Sequence, residues 1–442
     1  MRYFLVLILI FAYNFSTAQF GYEFWPLRSC VLQMDEHGIV CKKDLPDKTN
    51  LVLSTFGIGN RDGNLALYGS VRKIINAEDN RILYNTGERM GFGFLVQDFN
   101  NENIFHYFYS SEANFYSSEP KICHIVLDIL ANGEYTTKPN EFVIPEPICF
   151  LHIIPDYFEQ KFWLLTIPEK RNAINIYTFK NDEIQLCNQY FDDVINDVQS
   201  TLDANTAYNS TFDKLYAHLE NHNSIVCFDF DVNNGKIISN KIYHNASRCA
   251  VSKSGKYLFT IVSDASSNIS FIRYNLSDDG GISGQKIYEI KNYQHEYLPA
   301  MKLALDGNIY VLLTSYSRLD CITNIDGDTP IYKTNVMSLN SGEKGFAFPN
   351  QLFLTPHISC KHDDCFRSFS FSYFSFSEGC GLLWDFGDNT EQSTETSPVH
   401  VYEKSGKYTV KLTVTFSSGE TKTLEKNLVV NPPLEKPKII VE

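Results

Sequence analysis

Short apolar runs alternate with polar turns along most of the chain. One unit is a strand, a tight polar turn and a returning strand. It occurs as Leu127-Asp128-Ile129 before Asn132-Gly133, and as Tyr177-Thr178-Phe179 before Lys180-Asn181-Asp182-Glu183. It recurs as Phe228-Asp229-Phe230 before Asn233-Asn234-Gly235, and as Tyr274-Asn275-Leu276 before Asp278-Asp279-Gly280-Gly281. Asn-Gly and Gly-Gly favour hairpin turns because those turns need positive φ. Ile129, Phe179, Phe230 and Leu276 are spaced by roughly 46–51 residues, a period that a repeated supersecondary unit produces. A second mark is a polar residue opening an aromatic or aliphatic strand. It falls at Asn64, Asn103, Lys161, Lys214, Lys256 and Asn308.

Two hairpins per unit of roughly 40–58 residues match the sequence period of a β-propeller blade. The expected fold is all-β: a six- or seven-bladed β-propeller over 19–355, then a small Ig-like β-sandwich over 356–431 and a tail at 432–442. A four-stranded blade cannot bury both faces alone, and neighbours in a ring cover them. The rival, a series of β-sandwiches, predicts turns every 8–12 residues or so without the long period. Gln185 to Ala207 breaks the pattern, and Asp192–Val198 reads as a short helical or acidic surface loop.

From about Pro356 the texture changes. Ser368-Phe369-Ser370-Phe371-Ser372-Tyr373 alternates strictly, and the parity flips at Phe374 and Phe376, which predicts a bulge. Tyr408, Val410, Leu412, Val414 and Phe416 keep a period of two, the pattern of a half-buried strand, and Ser417-Ser418-Gly419 turns it into a last strand ending near Val430. Trp384-Asp385-Phe386-Gly387-Asp388, then Pro398-x-His400-x-Tyr402, then Gly406-x-Tyr408-x-Val410 follow in order. In these residues the region resembles the PKD (polycystic-kidney-disease) domain family. The resemblance implies an extracellular, non-catalytic Ig-like module used as a spacer or adhesive unit. Asn389 stands where the family usually has Gly, and Asn also tolerates a left-handed turn. Asp385 and Asp388 are expected to fix the turn through backbone hydrogen bonds and not to act as paired catalytic acids.

The combination of a propeller-like region with this module resembles bacterial surface proteins with PKD domains associated with gliding motility. The residues that suggest it are Leu298–Leu303 running into Asp306–Val311, with Gly345–Asn350 and Cys249–Leu258. The tail, Pro432 to Glu442, is expected to hold no sorting domain.

Met1-Arg2-Tyr3, the apolar run Phe4 to Tyr13 and the small residues Ser16-Thr17-Ala18 have the layout of a cleavable secretory signal over 1–18. The run is shorter than the roughly 20 residues a membrane span needs. A secreted or outer-surface location follows, with no transmembrane segment expected. Lys plus Arg is 38 against 52 Asp plus Glu, a net charge of −14. That balance argues against nucleic acid and anionic membranes as partners. Aromatic residues make up 14% of the chain and Met only 5 residues, a mix that suits strands.

Eleven Cys are present. Most sit singly in apolar runs, as in Ile225-Val226-Cys227-Phe228, and are expected to be small buried hydrophobes. An oxidising compartment permits disulfides. The candidates are Cys30 with Cys41, and a pair drawn from Cys360, Cys365 and Cys380, with Cys365 and Cys380 preferred.

Little chemistry is visible. His218 and His222 lie four apart but between strands, and are expected at a turn or surface. His295-Glu296 lacks the second His of a zinc-protease motif, and no phosphate-binding loop or nucleophile elbow occurs. Asn324–Asp328 and Asp278-Asp279 offer the oxygen ligands calcium prefers without the EF-hand spacing, so acidic turns are expected and no cofactor. Asn-x-Ser/Thr sequences of the mature chain start at Asn209, Asn245, Asn268 and Asn275. The expected function is non-catalytic binding or scaffolding, with a protein or polysaccharide partner at the cell exterior. The alternative is a secreted, glycosidase-like hydrolase with acidic residues at the propeller mouth.

Overall fold

The computed structural model describes residues 23–27, 30–45, 55–59, 64–70, 73–85, 93–111, 121–130, 134–144, 148–168, 173–197, 207–208, 213–219, 224–244, 246–276, 284–293, 298–313, 316–339, 348, 351–352, 354, 356–363, 367–375, 381–416, 419 and 421–432. Two compact units emerge, one holding 18–156 and 160–354, the other 355–442 with 157–159.

Seven sheets form the described part of the larger unit. Sheet 1 is β1 (Glu23–Pro26), β2 (Cys30–Asp35) and β3 (Gly38–Asp44). Sheet 2 is β4 (Phe56–Gly59), β5 (Leu65–Gly69), β6 (Lys73–Asn76) and β7 (Ile82–Asn85). Sheet 3 is β8 (Gly93–Gln97), β9 (Ile104–Ser111), β10 (Lys121–Ile129) and β11 (Tyr135–Ile144). Sheet 4 is β12 (Ile148–Asp156), β13 (Lys161–Pro168), β14 (Ile174–Lys180) and β15 (Glu183–Tyr190). Sheet 5 is β16 (Ala207–Tyr208), β17 (Lys214–Leu219), β18 (Ser224–Asp231) and β19 (Lys236–Tyr243). Sheet 6 is β20 (Ser247–Val251), β21 (Tyr257–Ser263), β22 (Ile269–Asn275) and β23 (Gln285–Ile290). Sheet 7 is β24 (Ala300–Leu303), β25 (Ile309–Leu313), β26 (Arg318–Thr323) and β27 (Ile331–Ser338). A short strand, β28 (Gln351–Leu352), pairs parallel with β8 at the edge of sheet 3. The six polar marks of the sequence stand at the start of β5, β9, β13, β17, β21 and β25, the second strand of sheets 2 to 7.

Each sheet packs against the next. Phe56, Leu67, Phe105 and Leu127 join sheets 2 and 3. Phe99 meets Phe162 between sheets 3 and 4. Trp163 of sheet 4 donates its indole N–H to the Val232 carbonyl beside sheet 5 (2.7 Å). Tyr216, Cys227, Cys249 and Leu258 join sheets 5 and 6, and Phe259, Phe271, Val311 and Ile322 join sheets 6 and 7. Sheet 1 closes the circle: Phe24 and Val31 pack on Tyr68 and Ile75 of sheet 2, and Trp25 and Leu32 pack on Tyr310 and Leu312 of sheet 7. This is a β-propeller-like ring. Second strands such as β13 are almost wholly buried, whereas the fourth strands β15 and β27 are largely exposed. Their Lys, Glu, Asn and Gln side chains keep those open edges solvated. The β14–β15 turn shows the hairpin chemistry directly. Asn181 and Asp182 both take positive φ (51° and 61°), as a two-residue I′ turn requires.

The smaller unit stacks two three-stranded sheets. One is β29 (His357–Asp363), β30 (Ser368–Phe374) and β32 (Val399–Val401). The other is β31 (Gly381–Asp385), β33 (Gly406–Thr415) and β34 (Thr421–Val430). Phe369, Phe371, Trp384, Tyr402, Val410, Leu412 and Val414 fill the space between them. No helix among the described residues is long and apolar enough to cross a membrane.

Several expectations need correction. Gln185–Tyr190 continues β15, so the break begins later, with a 3-10 turn at Asp193–Asp197. The β29–β30 register stays regular through Phe374, so no bulge falls there, and Phe376 lies outside the described residues. His218 sits partly buried on β17, not in a turn, and His222 lies outside the described residues. The Cys30–Cys41 disulfide is not formed. Cys30 is a buried thiol opposite Asp44, while Cys41 stands opposite Gln33. That offset along β2 is about 10 Å, beyond the usual reach of a disulfide. Cys365 and Cys380 lie outside the described residues. Cys227, Cys249 and Cys321 are buried as expected, but Cys187 is exposed on β15. The signal segment 1–18, Asp278-Asp279, His295-Glu296, Asn209 and Asn245 also lie outside the described residues.

Candidate functional site

The residues of the Trp384–Val410 signature converge on one end of the smaller unit's core. Trp384 is fully buried and donates its indole N–H to the Glu395 carbonyl (2.9 Å). Asp385 accepts the Gly387 amide (2.9 Å), and Gly387 takes φ 78° against the Thr409 backbone. Asn389 follows at φ 64°. Asp388 accepts the Thr390 amide and hydroxyl and pairs with His400 Nε2 at 2.8 Å. The His400 ring lies flat on Phe386 (4.0 Å, 2°), and Tyr402 donates to the Phe386 carbonyl (3.0 Å). The Pro398 carbonyl accepts the Phe371 amide (2.9 Å). Gly406 opens β33, Tyr408 donates to the Lys404 carbonyl (2.9 Å), and Val410 is fully buried. The two carboxylates hold a turn, and each already has local donors.

Asp388 yields one prediction. Burial raises its pKa, but the bonds from Thr390 and His400 outweigh burial and hold the carboxyl below its ordinary value. A depressed carboxylate adds stability that is present above the unfolded pKa, about 3.9, and is lost as pH falls through the folded value. Asp388→Asn should lower neutral-pH stability of this unit by about 1–2 kcal/mol. It should also flatten the stability loss below about pH 4, measured by denaturant unfolding of the full chain across pH.

A second constellation lies between sheets 3 and 4, and the sequence did not reveal it. Asp98 follows β8. The amides of Asn100 and Asn101 bind its Oδ1 (2.7 and 3.0 Å), which turns Oδ2 toward His106 Nε2 at 2.9 Å. His106 on β9 and His124 on β10 are diagonal neighbours, since His106 stands opposite Val126 and His124 opposite Phe108. Their facing nitrogens, His106 Nδ1 and His124 Nε2, are 2.9 Å apart. Phe108 stacks on His124 (4.6 Å, 11°), and Phe179 of β14 sets its edge against both imidazoles. Asp182, in the β14–β15 turn, brings Oδ1 to 4.0 Å from His106 Nδ1. His106 and His124 are 3% and 1% exposed, whereas the Asp182 side chain is 60% exposed.

Burial, and then the His106 charge, push the His124 pKa down to about 3, so this imidazole is neutral in ordinary buffers. Burial opposes ionisation of Asp98, yet the bonds from His106 and the two amides keep its carboxyl below the usual range. One ligand atom from each of His106, His124 and Asp182 lies within 4.8 Å of the other two, so these three have the spacing to hold a metal ion. Buried Asp320 differs. It accepts from Arg318, Tyr332 and the Asn335 amide and is fully occupied within sheet 7. The Asn324–Asp328 turn is likewise tied down, with Asp326 taking the Ser254 hydroxyl and Arg273 donating to the Gly327 and Asp328 carbonyls.

The sequence profile described as "PKD domain" matches residues 358–431. A microbial collagenase of Vibrio alginolyticus is 46% identical over 50 residues, which is 11% of this chain and 6% of that protein. The pre-pro-metalloprotease PrtV of Vibrio cholerae is 45% identical over 51 residues, 12% of this chain and 5% of that protein. The chain thus spans only a small fraction of the curated relatives it matches. Among solved structures, the PKD1 domain of Vibrio anguillarum Epp is 33% identical, covering 18% of this chain and 94% of that one, with a TM-score of 0.16. A putative 6-phosphogluconolactonase of Bacteroides fragilis is 12% identical, covering 74% of this chain and 97% of that one, with a TM-score of 0.47. Residues 358–431 therefore form a PKD domain.

Proposed function

We propose that this protein is a secreted or outer-surface binding and scaffold protein without catalytic activity. The ring of sheets presents a rigid loop face to a protein or polysaccharide, and the PKD domain serves as spacer or adhesive unit. The PKD domain over 358–431 carries this reading. Its signature residues act as a turn scaffold, with Asp385 and Asp388 committed to local donors. The similar segments in the collagenase and the metalloprotease are a small part of those proteins, in keeping with an accessory module. The ring supports the display role because each sheet is fixed by packing on two neighbours, which holds its loops in register. Export rests on the leader-like segment 1–18.

The test is a glycan array and a pull-down from extracellular fractions with the purified mature chain, beside a broad hydrolase panel. Saturable capture of one glycan class or protein without turnover is the expected result. Turnover that co-purifies with the chain and disappears on substitution of an acidic residue in the ring mouth would overturn the reading.

A further inference from the structure

The Asp98–His106–His124–Asp182 constellation has a chemistry of its own. We propose that His106, His124 and Asp182 bind a divalent transition-metal ion of the zinc class, with Asp98 orienting His106 from behind. Two imidazole nitrogens and one carboxylate oxygen form a borderline-soft donor set that suits zinc and its neighbours. Calcium and magnesium would demand mostly oxygen ligands. Donors on one tetrahedral zinc ion lie about 2.0–2.1 Å from the metal, hence about 3.3–3.4 Å from each other. His106 Nδ1 and His124 Nε2 are 2.9 Å apart and would need to part by a few tenths of an ångström. Asp182 Oδ1 lies 4.0 Å from His106 Nδ1 and within 4.8 Å of the His124 ligand atom, so this exposed turn side chain would have to move inward to complete the set.

The orientation of His106 is the second observation. Asp98 accepts the proton on Nε2, which leaves the Nδ1 lone pair facing His124 and Asp182. A carboxylate behind a ligating imidazole is the usual outer-shell partner of a histidine-bound metal. The carboxylates of Asp98 and Asp182, set beside two imidazoles, supply the negative charge a divalent cation needs. The ion would tie β9 and β10 of sheet 3 to the β14–β15 turn of sheet 4, with its remaining positions open on the Asp182 side. The competing reading is a chain of hydrogen bonds, from neutral His124 to His106 and on to the Asp98 carboxylate, that merely fills a polar slot.

The two readings separate in a titration. Untagged full-length protein, stripped with chelator and exchanged into chelator-free buffer, is titrated with cobalt(II) as a visible probe and then with zinc. The expected result is one equivalent of cobalt with visible d–d absorption, displaced by zinc, and a zinc-dependent rise in Tm. His124→Phe keeps the aromatic stack on Phe108 and removes one donor. It should fold and lose at least a hundredfold in affinity. Asp182→Asn keeps the positive-φ turn, which Asn tolerates, and should weaken binding at least tenfold. Asp98→Asn should weaken it by about 10–100-fold. No cobalt spectrum and no zinc-dependent Tm shift in the wild-type protein would overturn the proposal. So would equal affinity in Asp182→Asn and wild type, which assigns the ion to other groups such as thiols. Because Asp182 is exposed, that variant decides the matter even if His124→Phe fails to fold.

Discussion

Replacing Trp25 by Ala should destabilise the larger unit by about 3–5 kcal/mol, the range for removing a fully buried large aromatic side chain. Trp25 is 0% exposed and lies at the seam between sheets 1 and 7. Its indole meets Tyr310 edge-on (5.7 Å, 86°) and tilts against Phe348 (4.9 Å, 60°). Among the described residues no backbone ladder joins sheet 1 to sheet 7, so side-chain packing closes the ring there. Trp25→Phe separates packing from polarity. The indole nitrogen is buried without a hydrogen-bond partner, so Phe gives up some contact area but also removes an unsatisfied donor. That variant should lose less than about 2 kcal/mol. Denaturant unfolding of the full chain, followed by the transition of the larger unit, checks both. Equal stability of Trp25→Ala and wild type would show that the seam is not closed by this cluster.

The second large effect is expected at Gly387. A methyl group there would lie 2.5 Å from the Thr409 carbonyl oxygen, a backbone atom that cannot step aside. The residue also takes φ 78°. Left-handed strain of about 1–2 kcal/mol then adds to overpacking of about 1–3 kcal/mol. Gly387→Ala should therefore cost about 2–5 kcal/mol, seen as early melting of the PKD unit. Asn389→Gly is the contrast. Asn389 already accepts φ 64°, so relief of strain and extra unfolded-state entropy oppose each other, and the change should stay within about 1 kcal/mol.

The parts of this architecture that were legible in the sequence are those set by local periodicity. Asn103 and Lys161 each open a strand after a turn, and Lys214 opens β17. The PKD signature was legible because its residues work within one short stretch, as Asp385 does for Gly387. Sheet 1 carries no such polar mark. Its Cys30 and Cys41 suggested a cross-link until the register placed them three steps apart. The histidine constellation was hidden for another reason. His106 sits in the run Phe105–Tyr109, where its neighbours advertise only burial. Asp98, His124 and Asp182 reach it through a turn, a diagonal strand neighbour and the adjoining sheet. No periodic pattern encodes contacts of that kind, which arise only when separate hairpins are packed.

The short strand β28 has a practical consequence for anyone dividing the protein. Gln351 and Leu352 pair with Leu95 and Val96, and the Leu354 amide is held by the Gln97 side chain (3.1 Å). A truncation upstream of residue 351 would strip that cover and bare the β8 backbone groups that face β28, while the side paired with β9 stays closed, and leave an open edge for intermolecular pairing. Fragments of the larger unit ending at 354 should therefore stay dispersed in solution, where those ending a few residues earlier precipitate.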